Sequence, residues 1–240
     1  MHRPYVVGHR GAAGLEPENT LRSFRRALEL GVDYVECDVH LTRDGHLAVI
    51  HDETVDRTTN GQGRVAVFTL AELKRLDAGR GEHIPTLEEV LNLTRGRVGV
   101  LIELKGPHTA EPVVRTVKQL GMEEEVVLTS FHLERIRAAK TLEPHLRTGA
   151  IFGQPPSDAV AQALAVGAAG LGVHYRNLTR ELVAAAHAAG LEVRAWNPDT
   201  EEEMQALLAL GVDGISTNRP DLLLALLSER SAPSPSSGKE

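Results

Sequence analysis

The sequence predicts an α/β protein that forms a closed (β/α)8 barrel of the TIM type, with a small insertion after the second strand. Eight short apolar runs alternate with segments of helical spacing. Most of the runs are apolar on both faces, as buried parallel strands are. The 240 residues are also the usual length of one such barrel. An open doubly wound sheet is the alternative fold.

The predicted strands are separated by patterns typical of helices. They cover Val6–Gly8, Tyr34–Leu41, Val98–Leu104, Val126–Phe131, Thr148–Phe152, Gly170–His174, Leu191–Trp196 and Gly214–Thr217. Capping boxes at Thr86 with Glu89 and at Thr200 with Glu203 predict two helix starts. Glycines follow several helical runs, where a left-handed residue ends a helix. These are Gly31, Gly121, Gly167, Gly190 and Gly211.

A hairpin is predicted after the second strand. The strand-like segment Leu47–His51 follows too closely for a parallel crossover, which needs about a dozen residues. Asp44-Gly45 is a tight-turn signal. The segment should therefore run antiparallel, with His51 roughly opposite Asp38. Residues 46–84 then form an insertion before the second helix of the barrel.

One barrel domain is expected over residues 1–228. The remainder, residues 229–240, is rich in Ser and Pro and has little apolar surface to dock, so we predict a disordered tail.

Charge and composition narrow the range of partners. The formal net charge of −7 argues against nucleic acid and against stable membrane association. No apolar run approaches the roughly 18 residues of a membrane span, and no signal-peptide pattern precedes the first strand. The single cysteine, Cys37, excludes an intramolecular disulfide. These features predict a soluble, cytoplasmic protein with a small-molecule substrate.

Polar residues gather at the predicted C-terminal strand ends, where barrel enzymes build their sites. They are His9, Arg10, Glu36, Asp38, His51, Glu103, Lys105 and Trp196. Each residue alone has an ordinary structural explanation, such as a salt bridge or a filled barrel top. Their joint placement favours a site.

The chemistry of that set indicates phosphoryl transfer from a diester. Three carboxylates repel one another unless a cation intervenes, and oxygen ligands suit Mg²⁺ or Ca²⁺ better than Zn²⁺. Two histidines can divide general-base and general-acid work near neutral pH. Arg10 and Lys105 can hold an anion such as a phosphate.

At these residues the chain resembles the glycerophosphodiester phosphodiesterase family, from Val6 to about Leu227. The matching stretches are His9-Arg10-Gly11, Pro17-Glu18-Asn19-Thr20, Glu36-Cys37-Asp38-Val39, Val49-Ile50-His51-Asp52, Asp56-Arg57-Thr58-Thr59, Ile84-Pro85-Thr86-Leu87, Ile102-Glu103-Leu104-Lys105 and Gly211–Pro220. Cys37 and Asn218 stand where other residues are more usual.

The resemblance implies a role for each site residue. Glu36, Asp38 and Glu103 would hold a divalent metal, Mg²⁺ or Ca²⁺ with Mn²⁺ as a third candidate. His9 and His51 would be the acid–base pair, with His9 as the base by analogy with barrel phospholipases. The substrate-binding residues would be Arg10 and Lys105 on the phosphate and Trp196 and Phe131 beside the glycerol. The products would be glycerol 3-phosphate and an alcohol.

Three other functions compete with this interpretation. A phospholipase for lysolipids or inositol lipids would need an apolar rim, and the segment 52–83 is mostly polar. A non-catalytic binding barrel would have lost site residues. A sugar-phosphate isomerase or aldolase would not need three clustered carboxylates. The leaving alcohol, the metal, the nucleophile (water or a substrate hydroxyl) and the oligomeric state stay open.

Overall fold

Eight parallel strands close into a barrel in the computed structural model, which describes residues 3–231. In chain order the strands are β1 Tyr5–Gly8, β2 Tyr34–Leu41, β3 Leu47–Val49, β4 Gly99–Leu104, β5 Val126–Ser130, β6 Arg147–Phe152, β7 Gly170–His174, β8 Glu192–Trp196 and β9 Gly214–Thr217. Only β3 is antiparallel, paired with the end of β2. The ring closes because β1 pairs with both β2 and β9. The predicted fold class is confirmed, and the open sheet is excluded.

Helices follow the barrel strands and cover their outer faces. They are α1 Leu21–Leu30, α2 Leu70–Leu73, α3 Leu87–Thr94, α4 Ala110–Leu120, α5 Leu133–Leu142, α6 Ala159–Ala165, α7 Arg180–Ala188, α8 Glu201–Leu210 and α9 Pro220–Ser231. Short 3-10 turns occur at Val65–Val67 and Tyr175–Asn177. Both predicted capping boxes are present, at the starts of α3 and α8, and Thr69 with Glu72 forms a third on α2. The five predicted glycines have φ between 63° and 83°, the left-handed region that ends helices.

The predicted register of the β2–β3 hairpin is wrong by one residue. Val39 pairs with Val49, and the backbone N–H of Ile50 donates to the carbonyl of Asp38 at 3.0 Å, so Ile50 rather than His51 faces Asp38. The prediction assumed a two-residue turn at Asp44-Gly45. Instead Thr42 N–H donates to the His46 carbonyl, which makes a three-residue loop. Glycine in the left-handed conformation commonly adds such a residue, and Gly45 has φ 82°.

The insertion after β2 folds around a small core of its own. Its buried side chains are Ala48, Ile50, Val55, Val65, Leu73, Ala78 and Ile84. The hairpin joins this core to the barrel, because β3 pairs with β2 on one side and the Val49 N–H donates to the Pro85 carbonyl on the other. The insertion is therefore anchored beside the C-terminal end of β2.

The C-terminal helix extends past the predicted domain boundary at residue 228. α9 continues to Ser231. Glu229 and Arg230 both favour helices, and lack of apolar side chains does not by itself end one. The rest of the predicted tail, residues 232–240, lies outside the described residues. Within 3–231, no helix is long and apolar enough to cross a membrane.

Candidate active site

Three buried carboxylates meet at the C-terminal ends of β2 and β4. Glu36 and Asp38 are two residues apart on β2, so their side chains share a face. The β2–β4 register places Asp38 directly beside Glu103. The three side chains each have an oxygen within 4.8 Å of the others, and the residues are only 3%, 1% and 8% exposed. The predicted juxtaposition is therefore present.

The carboxylate cluster is crowded, and one of its buried oxygens has no donor. Burial, together with the charge of Asp38, raises the pKa of Glu36 to about 8. The same two causes raise the pKa of Glu103 to about 7, although Lys105 Nζ lies 3.1 Å from its Oε1. Asp38 Oδ2 accepts from Asn19 Nδ2 at 2.9 Å, but its Oδ1 has no hydrogen-bond partner. Clustered carboxylate oxygens, one of them without a hydrogen-bond donor, fit a hard divalent cation, so this triad could hold one.

The first histidine lies where β1 ends. The backbone N–H of His9 donates to the Thr217 carbonyl on β9. Its Nδ1 lies 2.7 Å from Asn218 Oδ1, and its Nε2 lies 3.8 Å from Glu36 Oε2. Burial and the adjacent charge of Arg10 lower the pKa of His9 to about 4. With no cation bound, this ring is therefore neutral at pH 7.

The second histidine comes from the insertion. His51 Nδ1 lies 2.6 Å from the Asp52 carboxylate, which leaves Nε2 as the free ring nitrogen. Asp52 in turn accepts from Arg57, whose guanidinium also binds Glu18 through two hydrogen bonds of 2.7 and 2.9 Å. Burial lowers the pKa of His51, although Asp38 and Asp52 oppose that effect.

Cationic and aromatic side chains complete the mouth. The guanidinium of Arg10 lies 2.8 Å from Glu18 and 3.3 Å from Asp38, and it is largely buried. Lys105 Nζ lies 5.4 Å from the centre of the Phe131 ring, which meets Trp196 edge-on at 5.5 Å. The aromatic pair thus forms a wall beside the lysine.

One cavity of about 220 Å³ gathers these groups. It is lined by His9, Arg10, Glu36, His51, Glu103, Lys105, Phe131, Ile151, Arg194, Trp196 and Asn197. Every site residue predicted from the sequence lines it except Asp38, which lies within the carboxylate cluster. The volume admits a small polar molecule.

Several residues of the site were not predicted. Arg194 reaches the cavity from β8, two residues before Trp196, so the alternation of that strand was a usable signal. Asn218, Asp52 and Arg57 contact the histidines or their partners. All three lie in motif stretches, but the pairing of Asn218 with His9 spans 209 residues and that of Arg57 with Glu18 spans 39, and the sequence gives no signal for such distant pairs.

Two histidines, clustered carboxylates and cationic side chains at the mouth of a parallel barrel indicate a phosphoester hydrolase of the β/α-barrel class. The sequence profile described as the glycerophosphoryl diester phosphodiesterase family matches residues 9–222. The chain belongs to this family, and it is an enzyme, a phosphoric diester hydrolase. The predicted resemblance is confirmed.

Relatives of known sequence and structure cover nearly the whole chain. A glycerophosphodiester phosphodiesterase of Caldanaerobacter subterraneus subsp. tengcongensis is 41% identical over 235 residues, 92% of this chain and 97% of that one. The chain is also similar to a protein of Galdieria sulphuraria, assigned as a glycerophosphodiester phosphodiesterase, whose crystal structure is known. The two are 34% identical, the match covers 95% of this chain and 98% of the other, and the TM-score is 0.89. A phosphodiesterase of Oleispira antarctica was solved with the product sn-glycerol-3-phosphate; it is 31% identical, covers 94% and 97%, and has a TM-score of 0.88.

Proposed function

We propose that this chain hydrolyses glycerophosphodiesters to glycerol 3-phosphate and an alcohol, using a divalent cation and two histidines. The observation that carries the proposal is the convergence of His9, His51, Glu36 and Glu103 on one small cavity, with Asp38 beside the two glutamates. The product bound to the Oleispira antarctica relative supports the glycerol phosphate half of the substrate.

The cation would be held by Glu36, Asp38 and Glu103. When bound, it would polarise the phosphoryl group and offset negative charge in the transition state. Lys105 and Arg10 would bind the phosphate oxygens, and their charges act in a partly dry site where electrostatic stabilisation is strongest. Both are tied to carboxylates, which orients them before substrate arrives.

The hydrogen-bond partners of the histidines favour distinct roles. His9 faces the neutral amide of Asn218, whose hydrogen bond raises the pKa of the ring, but burial and the charge of Arg10 outweigh it and keep the resting imidazole neutral. His51 faces the carboxylate of Asp52, which favours the protonated ring. His9 would therefore accept a proton from the nucleophile at Nε2, and His51 would donate one to the leaving alcohol.

The aromatic wall supports a small rather than a lipid substrate. Trp196 and Phe131 would pack against the glycerol carbons. The large apolar side chains most exposed among residues 3–231 are Val67, Phe131, Leu142 and Leu164. Of these four, Phe131 alone lines the cavity. A phospholipase acting on lysolipids would need a broader apolar rim.

The test measures turnover of glycerophosphocholine with chelator and with added Mg²⁺, Ca²⁺ or Mn²⁺. We expect activity to disappear with chelator and to return with a cation. His9→Ala and His51→Ala should each lower kcat by roughly 10²–10⁴-fold, the usual contribution of a general acid or base. The control His46→Ala alters an exposed histidine in the β2–β3 loop and should keep wild-type turnover. Full activity in excess chelator would reject the metal requirement. Near-native kcat in either active-site variant would reject the catalytic role of that histidine.

A further inference from the structure

We infer that Asp199, acting through Asn218, is a positioning residue that holds His9 in the tautomer with its proton on Nδ1. The inference rests on the proposed role of His9 as general base, because that tautomer leaves the Nε2 lone pair free for the nucleophile's proton. Asp199 lies between β8 and α8 and does not line the cavity. Its effect on the reaction would therefore be indirect.

The donors around Asp199 fix its hydrogen-bond pattern. Oδ1 accepts from the backbone N–H of Asn218 at 2.9 Å and from the Thr217 hydroxyl at 3.0 Å. That hydroxyl itself accepts from the Arg219 N–H, so its own hydrogen is available to Asp199. Oδ2 lies 2.7 Å from Asn218 Nδ2. A carboxylate only accepts, so all these groups must act as donors toward it.

The orientation of the Asn218 amide determines which atom of Asn218 faces His9. Because its Nδ2 must face Asp199, its Oδ1 must face the imidazole, and the distance to Nδ1 is 2.7 Å. An amide oxygen accepts only, so a contact this short requires a proton on Nδ1. The other tautomer would direct Nε2–H toward Glu36 Oε2, but the 3.8 Å separation is beyond hydrogen-bond range.

Asp199→Asn should reverse the tautomer without touching His9. The new side chain keeps an oxygen for the Asn218 backbone N–H and presents an NH2 group to the Asn218 amide. That amide then turns over and presents its own NH2 to His9, so Nδ1 becomes an acceptor and the proton moves to Nε2. We expect kcat to fall by about 10²–10⁴-fold, the range for losing a general base, with KM little changed.

The double variant Asp199→Asn/Asn218→Asp is the matched rescue. The carboxylate created at position 218 can accept from both the amide at position 199 and His9 Nδ1. The wild-type tautomer and most of the turnover should therefore return, although the variant carries two changes. Because the exchange also restores the hydrogen bond between positions 199 and 218, turnover alone does not separate this role from a purely structural one, and the His9 tautomer is the readout that does.

The tautomer can be read directly by ¹⁵N NMR of the imidazoles at about pH 8, where an ordinary histidine is neutral. The His9 signals are identified by their loss in His9→Gln. We expect protonated Nδ1 in the wild type and the double variant, with and without Mg²⁺, and protonated Nε2 in Asp199→Asn. A wild-type ring protonated at Nε2, or a single variant that keeps the wild-type tautomer, would overturn the inference. If the tautomers behave as expected but Asp199→Asn keeps full turnover, the tautomer assignment stands and the base role of His9 fails.

Discussion

Removing the divalent cation should make stability fall steeply as pH rises through neutrality. The perturbation is a change from pH 6.5 to pH 8 in excess chelator, compared with the same change in saturating Mg²⁺ or Ca²⁺. The groups responsible are Glu36 and Glu103, whose pKa values burial and the charge of Asp38 raise to about 8 and about 7. In the unfolded chain both would ionise near pH 4.3.

The sign follows from proton binding. Above pH 6.5 the unfolded chain has released these protons, whereas the folded, cation-free protein retains them, so folding weakens as pH rises. Near pH 7 the folded, cation-free cluster retains about one proton that the unfolded chain has released, which gives a slope of roughly 1 kcal/mol of unfolding free energy per pH unit. The lowered pKa values of His9 and His51 act with the opposite sign; they offset part of this slope near pH 6.5 and fade as the pH rises above 7.

The assay is urea denaturation at each pH, with and without the cation. The bound cation should keep both carboxylates ionised in the folded state and flatten the slope. Glu36→Gln is the control, because a neutral amide of similar shape removes one titrating group and should leave only the smaller Glu103 contribution. A cation-free wild type whose stability is level between pH 6.5 and 8 would refute the reasoning.

Two further predictions concern the fold and the phosphate. Gly11→Ala should lower the free energy of unfolding by about 3 kcal/mol or more, because the residue has φ 87° and the new Cβ would lie 2.5 Å from a side-chain oxygen of α1. Gly31→Ala should lower it by about 1 kcal/mol only, because that residue has φ 83° but open space around it. Equal losses of Tm in the two variants would contradict the steric argument. Lys105→Ala should raise KM for glycerophosphocholine by roughly 10-fold or more, the value of a charge-assisted hydrogen bond, whereas Lys118→Ala on α4 should leave KM unchanged. A similar KM in both lysine variants would remove Lys105 from the phosphate site.

The barrel and the carboxylate triad were predictable because both depend on strand periodicity. A buried parallel strand fixes which residues point inward, so Glu36 and Asp38 had to share a face, and neighbouring strand ends had to bring Glu103 beside them. The capping boxes and the helix-ending glycines were also predictable, because each depends on only a few neighbouring residues.

The parts that were missed depend on single residues or on distant pairings. The hairpin register shifted because Gly45 adopted a left-handed conformation and lengthened the loop by one residue. Arg57 links Asp52 to Glu18, and because Glu18 lies 39 residues away in the sequence, no periodic pattern predicts this contact. α9 continues to Ser231, three residues past the predicted boundary, because Glu229 and Arg230 favour helices although they bring no apolar surface.

The mouth combines two structural units, and Arg57 joins them. The barrel strands supply the carboxylate triad, whereas the insertion supplies His51, Asp52 and Arg57 around a core of its own. Arg57 binds Asp52 within the insertion and Glu18 on the loop after β1, and Glu18 in turn binds Arg10. Burial raises the pKa of Glu18, but Arg57 and Arg10 outweigh that effect and hold it at about 2. Glu18 therefore stays ionised at neutral pH, and this chain of ion pairs ties the His51 side chain, through Asp52, to the loop after β1, in addition to the β2–β3 pairing that holds the neighbouring Ile50 against Asp38.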